Sequence, residues 1–168
     1  MSFCQTNVSV TAGRKQHGKT VAEAVLDASA LIAFIRNEPG AEKVAAVLTG
    51  SCISAVNLEE TISKMIQYGK QLEAVSYQIE RLRIPVIPFD AEQARIASSL
   101  WKSTRPFGLS LGNRACLSLA LKLSVPALTT ESDWSENEVG VRVRAYAPLF
   151  PGFSGVFMEN ITESYNVT

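Results

Sequence analysis

The chain predicts an α/β fold: one three-layer α/β/α domain built on a central parallel sheet of four or five strands. Three observations predict it. Short apolar runs of strand length alternate with longer segments of helical period from residue 24 to residue 145, and that alternation is the signature of a parallel sheet covered on both faces. The segment Leu111–Leu123 is apolar nearly all round, as a helix buried against such a sheet must be. At 168 residues with 46% apolar content, the chain fills one sizeable core and is short for two.

The elements follow in order. Ala24–Leu26 is a buried strand ending at Asp27, and Ser29–Arg36 is a helix stopped by Asn37-Glu38-Pro39-Gly40. Ala41–Leu48 makes a second helix closed by Thr49-Gly50, and Cys52–Ser54 a second strand. Val56–Tyr68 is a longer helix whose Leu58, Ile62, Met65 and Ile66 form one apolar stripe. After Gly69, Leu72–Leu82 pairs with it as a helical hairpin. Ile84–Phe89 is a strand whose two prolines assign it to a sheet edge. Asp90 caps a helix running to about Lys102, residues 103–108 form a loop, and Ser110 caps Leu111–Leu123. Ala127–Thr129 and Val141–Ala145 are the last strands. Residues 1–20 read as a polar N-terminal extension, 21–147 as the domain, and 148–168 as an irregular tail. A valine codon can initiate translation in bacteria, so Val21 is a candidate native start, which N-terminal sequencing would test.

Composition narrows the function classes. Sixteen basic and sixteen acidic residues cancel, so no global positive field draws the protein to nucleic acid. One histidine, His17, and three scattered cysteines, Cys4, Cys52 and Cys116, leave little material for a zinc site or a Ser-His triad. The cysteines read as small buried apolar residues of a reducing cytoplasm. No segment has the length and hydropathy of a signal peptide or a membrane span.

Chemistry is better sought at the carboxyl ends of the strands, where open parallel sheets gather ligands. Asp27 stands there after the first strand, either as a ligand or as the cap of the next helix. Glu59 and Glu60 fall in the first turn of the third helix; on a helical wheel Glu60 turns away from the apolar stripe, with Asn57 and Lys64. Asn113 is at the third position of the buried helix, and Glu131 follows the fourth strand, with Asp133 and Glu136 close by. Three carboxylates and one amide of this kind suit a hard divalent cation.

Together these segments resemble the PIN-domain family, and within it the VapC-type toxins of toxin-antitoxin pairs. The likeness covers roughly residues 24–146: VLDASALIAF, SAVNLEE, GLSLGNRACLSLA and PALTTESDW are similar to the family's four motifs in order. The resemblance implies a metal-dependent endoribonuclease, with Asp27, Glu60, Asn113 and Glu131 around Mg²⁺ or Mn²⁺ and Ser29 as a supporting hydroxyl. It selects Glu60 over Glu59, and it implies an RNA substrate, a cognate antitoxin and a homodimer. Two positions depart from the pattern: Asn113 and Glu131 stand where the family usually carries Asp. Glu131 keeps the charge on a longer arm, whereas Asn113 loses it, so activity is expected to be attenuated or silent. Lys102, Arg105 and Arg114 are candidate phosphate contacts, or else solvated surface charges. Asn113 also supports an alternative, a non-catalytic PIN-fold module that binds antitoxin or RNA. A third reading is nucleotide binding, because Gly13–Thr20 matches G-x-x-x-x-G-K-T. Against it, the helix that motif needs would run through the first strand.

Overall fold

The computed structural model describes residues 22–131 and 143–145. The N-terminal extension with its phosphate-loop-like motif, Cys4, His17, Val21, Asp133, Glu136 and the tail all lie outside the described residues.

Five parallel strands form one sheet: β1 (Ala24–Leu26), β2 (Ser51–Ser54), β3 (Val86–Ile87), β4 (Ala127–Thr129) and β5 (Val143–Ala145), in the order β3-β2-β1-β4-β5. Alternate side chains of β1 feed two cores. Val25 packs with Cys52, Cys116, Leu117 and Ala127 on one face, while Ala24 and Leu26 pack with Leu31, Val44, Ile53 and Leu128 on the other. The period of two in a strand is what divides these residues, and two cores on two faces make three layers. One face carries α1 (Ala28–Arg36) and α2 (Ala41–Val47); the other carries α5 (Ala91–Ser99) and α7 (Leu111–Leu123). Burial pushes the Cys52 thiol up to about 12 and the Cys116 thiol well above its ordinary value, so both are inert packing residues, as expected.

The hairpin of α3 (Ala55–Gln67) and α4 (Leu72–Leu82) has a smaller core of its own, Met65, Val75 and Ile79, with Leu58 and Ile62 packed against it. Here the expected stripe is displaced. The buried residues of α3 are Asn57, Thr61 and Met65, and Ile66 is 44% exposed. Hydrophobic period located the helix but not its inward line, because the donors of two polar residues on that line find partners inside: the Thr61 hydroxyl donates to the Asn57 carbonyl at 2.8 Å, and the Asn57 amide N–H donates to Asp27.

Three other expectations change. The Ile84–Phe89 strand shrinks to Val86–Ile87 because Pro85 and Pro88 flank it and lack donors; it does lie at the edge. The single helix from residue 91 to 102 breaks at Leu100, giving α5 and a one-turn α6 (Trp101–Thr104). The expected loop is instead α6 followed by a 3₁₀ turn over Arg105–Phe107, ended by Gly108 at φ 68°. Among the described residues no helix is long and apolar enough to cross a membrane.

Candidate functional site

The chain builds β2 and β3 on one side of β1 before crossing back to place β4 on the other. The crevice at the carboxyl ends of β1 and β4 is therefore the topological switch point of the sheet, where such folds collect ligands. Asp27 leaves the end of β1, Thr129 ends β4, and Glu131 follows two residues later. Ser54 ends β2 and caps α3, whose first two turns carry Asn57 and Glu60.

Asp27 is the buried centre, with 1% of its surface exposed. It caps α1, and it stands where β1 ends at the crevice. Its Oδ2 accepts from the Ser29 backbone N–H at 3.2 Å, the Ser29 hydroxyl at 2.7 Å and the Thr129 hydroxyl at 3.3 Å. Its Oδ1 accepts from Asn57 Nδ2 at 3.0 Å. Burial nevertheless drives its pKa from 3.8 up to about 6; the Ser29 hydroxyl opposes the rise, and the charges of Glu131 and Glu60 add to it. The pKa of Glu60 is also raised, first by burial and then by Glu131, with Lys64 opposing. Three carboxylates thus feel one another across the crevice. Glu59 is exposed and accepts from the Ser63 hydroxyl on the outer face of α3.

The N-terminus of α7 closes the site. A Cβ on Gly112 would fall 2.2 Å from Glu60 Oε2, so the bare glycine is what lets that carboxylate lie against the helix. Asn113 belongs to a capping box: its backbone N–H donates to the Ser110 hydroxyl at 3.2 Å, and its Oδ1 accepts from the Ser110 N–H at 2.7 Å. The box fixes the amide's orientation, because the Ser110 N–H demands an acceptor. Nδ2 is left to face the crevice, 3.5 Å from Glu131 Oε2. An aspartate would serve the box with one oxygen and present the other to the crevice; asparagine presents a donor instead.

Asn57 and Thr129 are site residues that helical period and strand assignment did not single out. Both Nδ2 hydrogens of Asn57 are used, on Asp27 and on the Gly112 carbonyl at 3.1 Å, so one side chain ties α3 to β1 and α7. Its own Oδ1 is buried without a partner. The Thr129 hydroxyl lies 2.9 Å from Ser29 Oγ and accepts from the Glu131 N–H at 3.1 Å. A signal for Asn57 existed: the wheel put it on the face of Glu60 and Lys64, and the structure buries Asn57 and half-buries Glu60 at the start of that face while Lys64 stays exposed. Of the candidate cations, Arg114 is half-buried, donating to the Leu109 carbonyl at 2.8 Å with its guanidinium 4.8 Å from the Trp101 ring centroid. Lys102 and Arg105 are exposed on α6 and the turn after it.

The donors that meet here are hard oxygens, which suits Mg²⁺ or Mn²⁺; Mg²⁺ keeps most of its waters and needs only one or two carboxylates. Among the described residues no three acidic, histidine or cysteine side chains are gathered tightly enough to grip an ion as they stand. Of the three carboxylates only Asp27 is fixed by burial. Glu60 is half-buried and Glu131 exposed, so both have room to turn. The residues fit a weakly held divalent ion with three carboxylates and no contribution from the Asn113 carbonyl.

The PIN-domain family model matches residues 24–139. No curated protein matches the chain in sequence. Among solved structures, a toxin-antitoxin complex from Klebsiella pneumoniae is 16% identical with a TM-score of 0.58, over 75% of this chain and 99% of that one. DNA-bound VapBC from Salmonella typhimurium is 16% identical with a TM-score of 0.56, over 74% and 98%. FitAcB from Neisseria gonorrhoeae is 19% identical with a TM-score of 0.55, over 73% and 97%. At these identities the likeness is one of fold, and it agrees with the five-stranded parallel sheet and its flanking helices. With the family model spanning more than half of its length and ordered as the four motifs are, the chain belongs to the PIN-domain family.

Proposed function

We propose that this protein is a metal-dependent endoribonuclease toxin of a toxin-antitoxin pair, attenuated by Asn113. The observation that carries the reading is Asp27, a carboxyl buried at the switch point, raised in pKa first by that burial and then by the charges of Glu131 and Glu60. An isolated buried carboxylate is costly, and a cation among the three would offset that cost. Asp27, Glu60 and Glu131 would hold Mg²⁺ or Mn²⁺, which when bound supplies Lewis-acid polarisation of a phosphodiester and a more acidic water. Ser29, Thr129 and Asn57 keep Asp27 oriented, and Lys102, Arg105 and Arg114 would meet RNA phosphates beside the crevice.

Partner binding is assigned to the α3–α4 hairpin. It exposes Ile66, Tyr68, Leu72 and Tyr77 beside a cavity of about 370 Å³ lined by Ile35, Arg36, Met65, Lys70 and Gln78. An apolar surface with a groove suits an amphipathic antitoxin helix. Homodimerisation and a cytoplasmic location belong to the same reading, which also treats residues 21–147 as the functional unit.

Cleavage of structured RNA with Mn²⁺ present tests the proposal. Slow cleavage by the native chain and faster cleavage by Asn113→Asp are expected. If neither cleaves and Mn²⁺ leaves the melting temperature of both unmoved, the nuclease reading is wrong. A binding-only module is the second reading, favoured by the Asn113 amide aimed at Glu131; it predicts antitoxin or RNA binding without cleavage by either protein.

A further inference from the structure

Between Glu92 and Glu131 the chain carries no acidic residue, although acids and bases balance overall. That stretch holds Arg95, Lys102, Arg105, Arg114 and Lys122. Lys122 is neutralised by Asp90 and Glu92, at 3.2 and 2.6 Å. Among the described residues Lys102, Arg105 and Arg114 have no carboxylate partner. The same stretch exposes large apolar side chains: Trp101 at 49%, Phe107 at 38% and Leu111 at 54%. Trp101 is held by the Arg114 guanidinium at 4.8 Å from its ring centroid, and Arg114 directly follows Asn113 of the crevice.

We propose that Trp101, with Lys102, Arg105 and Arg114, is a stacking platform for an unpaired base of single-stranded RNA, seated beside the carboxylate crevice. The inference rests on the reading that this chain acts on RNA, and it names the form of RNA that the site takes. An aromatic ring with cations around it that no carboxylate among the described residues neutralises matches a π-faced base joined to a phosphate. Arg114 occupies ring surface on one side and adds a cation–π contact, while the exposed part of Trp101 remains for a base. Lys102 and Arg105 hold the neighbouring phosphates. A duplex cannot use the ring, because its bases are stacked on each other. A second copy of this chain is disfavoured as occupant, since a two-fold interface would set this acid-free patch against itself, cation facing cation.

The test uses the full chain with Trp134→Phe, leaving Trp101 as the sole tryptophan, in chelator so that no RNA is cut. Short single-stranded oligoadenylate should quench Trp101 fluorescence, and a blunt duplex should quench far less. Trp101→Ala should weaken single-strand binding about tenfold or more, the loss of one stacked base, while Trp101→Phe keeps most of it. Arg105→Gln should reduce the slope of log affinity against log salt by about 0.7. Because Trp101 is half exposed, circular dichroism of both variants should match the native chain. The platform is overturned by equal binding to Trp101→Ala, by equal quenching with duplex, by no RNA binding at all, or by a change of oligomeric state in Trp101→Ala with RNA affinity unmoved. Unchanged cleavage when Trp101→Ala is added to Asn113→Asp retires the platform and leaves the nuclease reading. No cleavage by Asn113→Asp, with single-strand binding and quenching intact, retires the nuclease reading and leaves the platform.

Discussion

Replacing Asn113 by aspartate should make the protein less stable without metal and more stable with it. The capping box survives, because one carboxylate oxygen still accepts from the Ser110 N–H, and a charge at the start of α7 is favoured by the helix dipole by about 0.3–1 kcal/mol. The other oxygen takes the place of Nδ2, 3.5 Å from Glu131 Oε2. At that separation two negative charges repel by about 1 kcal/mol in water and about 5 kcal/mol at an effective dielectric of 20. Glu131 is exposed, so the lower figure governs, and after the helix-dipole gain the net loss in chelator is up to about 0.7 kcal/mol, or roughly two degrees of melting temperature. With Mn²⁺ the added charge attracts a divalent ion about twice as strongly as it repels one carboxylate. A surplus of 1.4–2.8 kcal/mol would tighten metal binding about 10- to 100-fold. At saturating Mn²⁺ that becomes a melting-temperature gain larger than the native chain's. Calorimetry in chelator and across a Mn²⁺ titration would show the two curves crossing. Identical melting in chelator, with equal metal-induced shifts, would refute the placement of Asn113 against the carboxylates.

Asp27 sets a pH dependence. Its folded pKa of about 6 lies above the unfolded 3.8, so the folded state holds the extra proton and metal-free stability falls as pH rises through that window. The contribution is about 3 kcal/mol, seen as a decline in the native chain relative to Asp27→Asn; parallel melting profiles from about pH 4 to 6 would contradict it. Gly112→Ala should cost little stability, since the atom it strikes is the mobile end of Glu60, yet it should weaken Mn²⁺ binding severalfold by turning that carboxylate away. Unaltered Mn²⁺ affinity by isothermal titration would exclude Glu60 as a ligand. Asn57→Ala removes two buried hydrogen bonds together with an already unpaired oxygen, and should destabilise the fold by about 1–3 kcal/mol. A chemical-denaturation midpoint matching the native one would show that the tie between α3, β1 and α7 has no energetic weight.

Most elements were legible because their signals are local. Ser110 before an apolar segment marks the start of α7, and Asp90 likewise opens α5. Alternation of strand and helix fixes a parallel sheet without any knowledge of contacts. The errors fall where one signal was asked to decide a three-dimensional question. Leu58, Ile62, Met65 and Ile66 have a clean helical period, yet α3 buries Asn57, Thr61 and Met65. Hydropathy cannot see that a buried carboxylate across the sheet supplies Asn57 with an acceptor. Leu100 interrupts α5 without a glycine or proline to announce it.

The choice of Asp27, Glu60, Asn113 and Glu131 followed from the likeness to the PIN-domain motifs, while by itself the sequence determined the layered α/β architecture with its caps and turns. Those are matters of period, capping and residue type, which act over a few positions along the chain. Only the tertiary structure decided what surrounds each oxygen. It buries Asp27 beneath four donors, leaves Glu60 against a bare glycine, and turns the Asn113 amide so that a hydrogen faces the carboxylates. Orientation and desolvation depend on atoms a hundred residues apart in sequence, and those two quantities set charge, proton affinity and the grip on a cation.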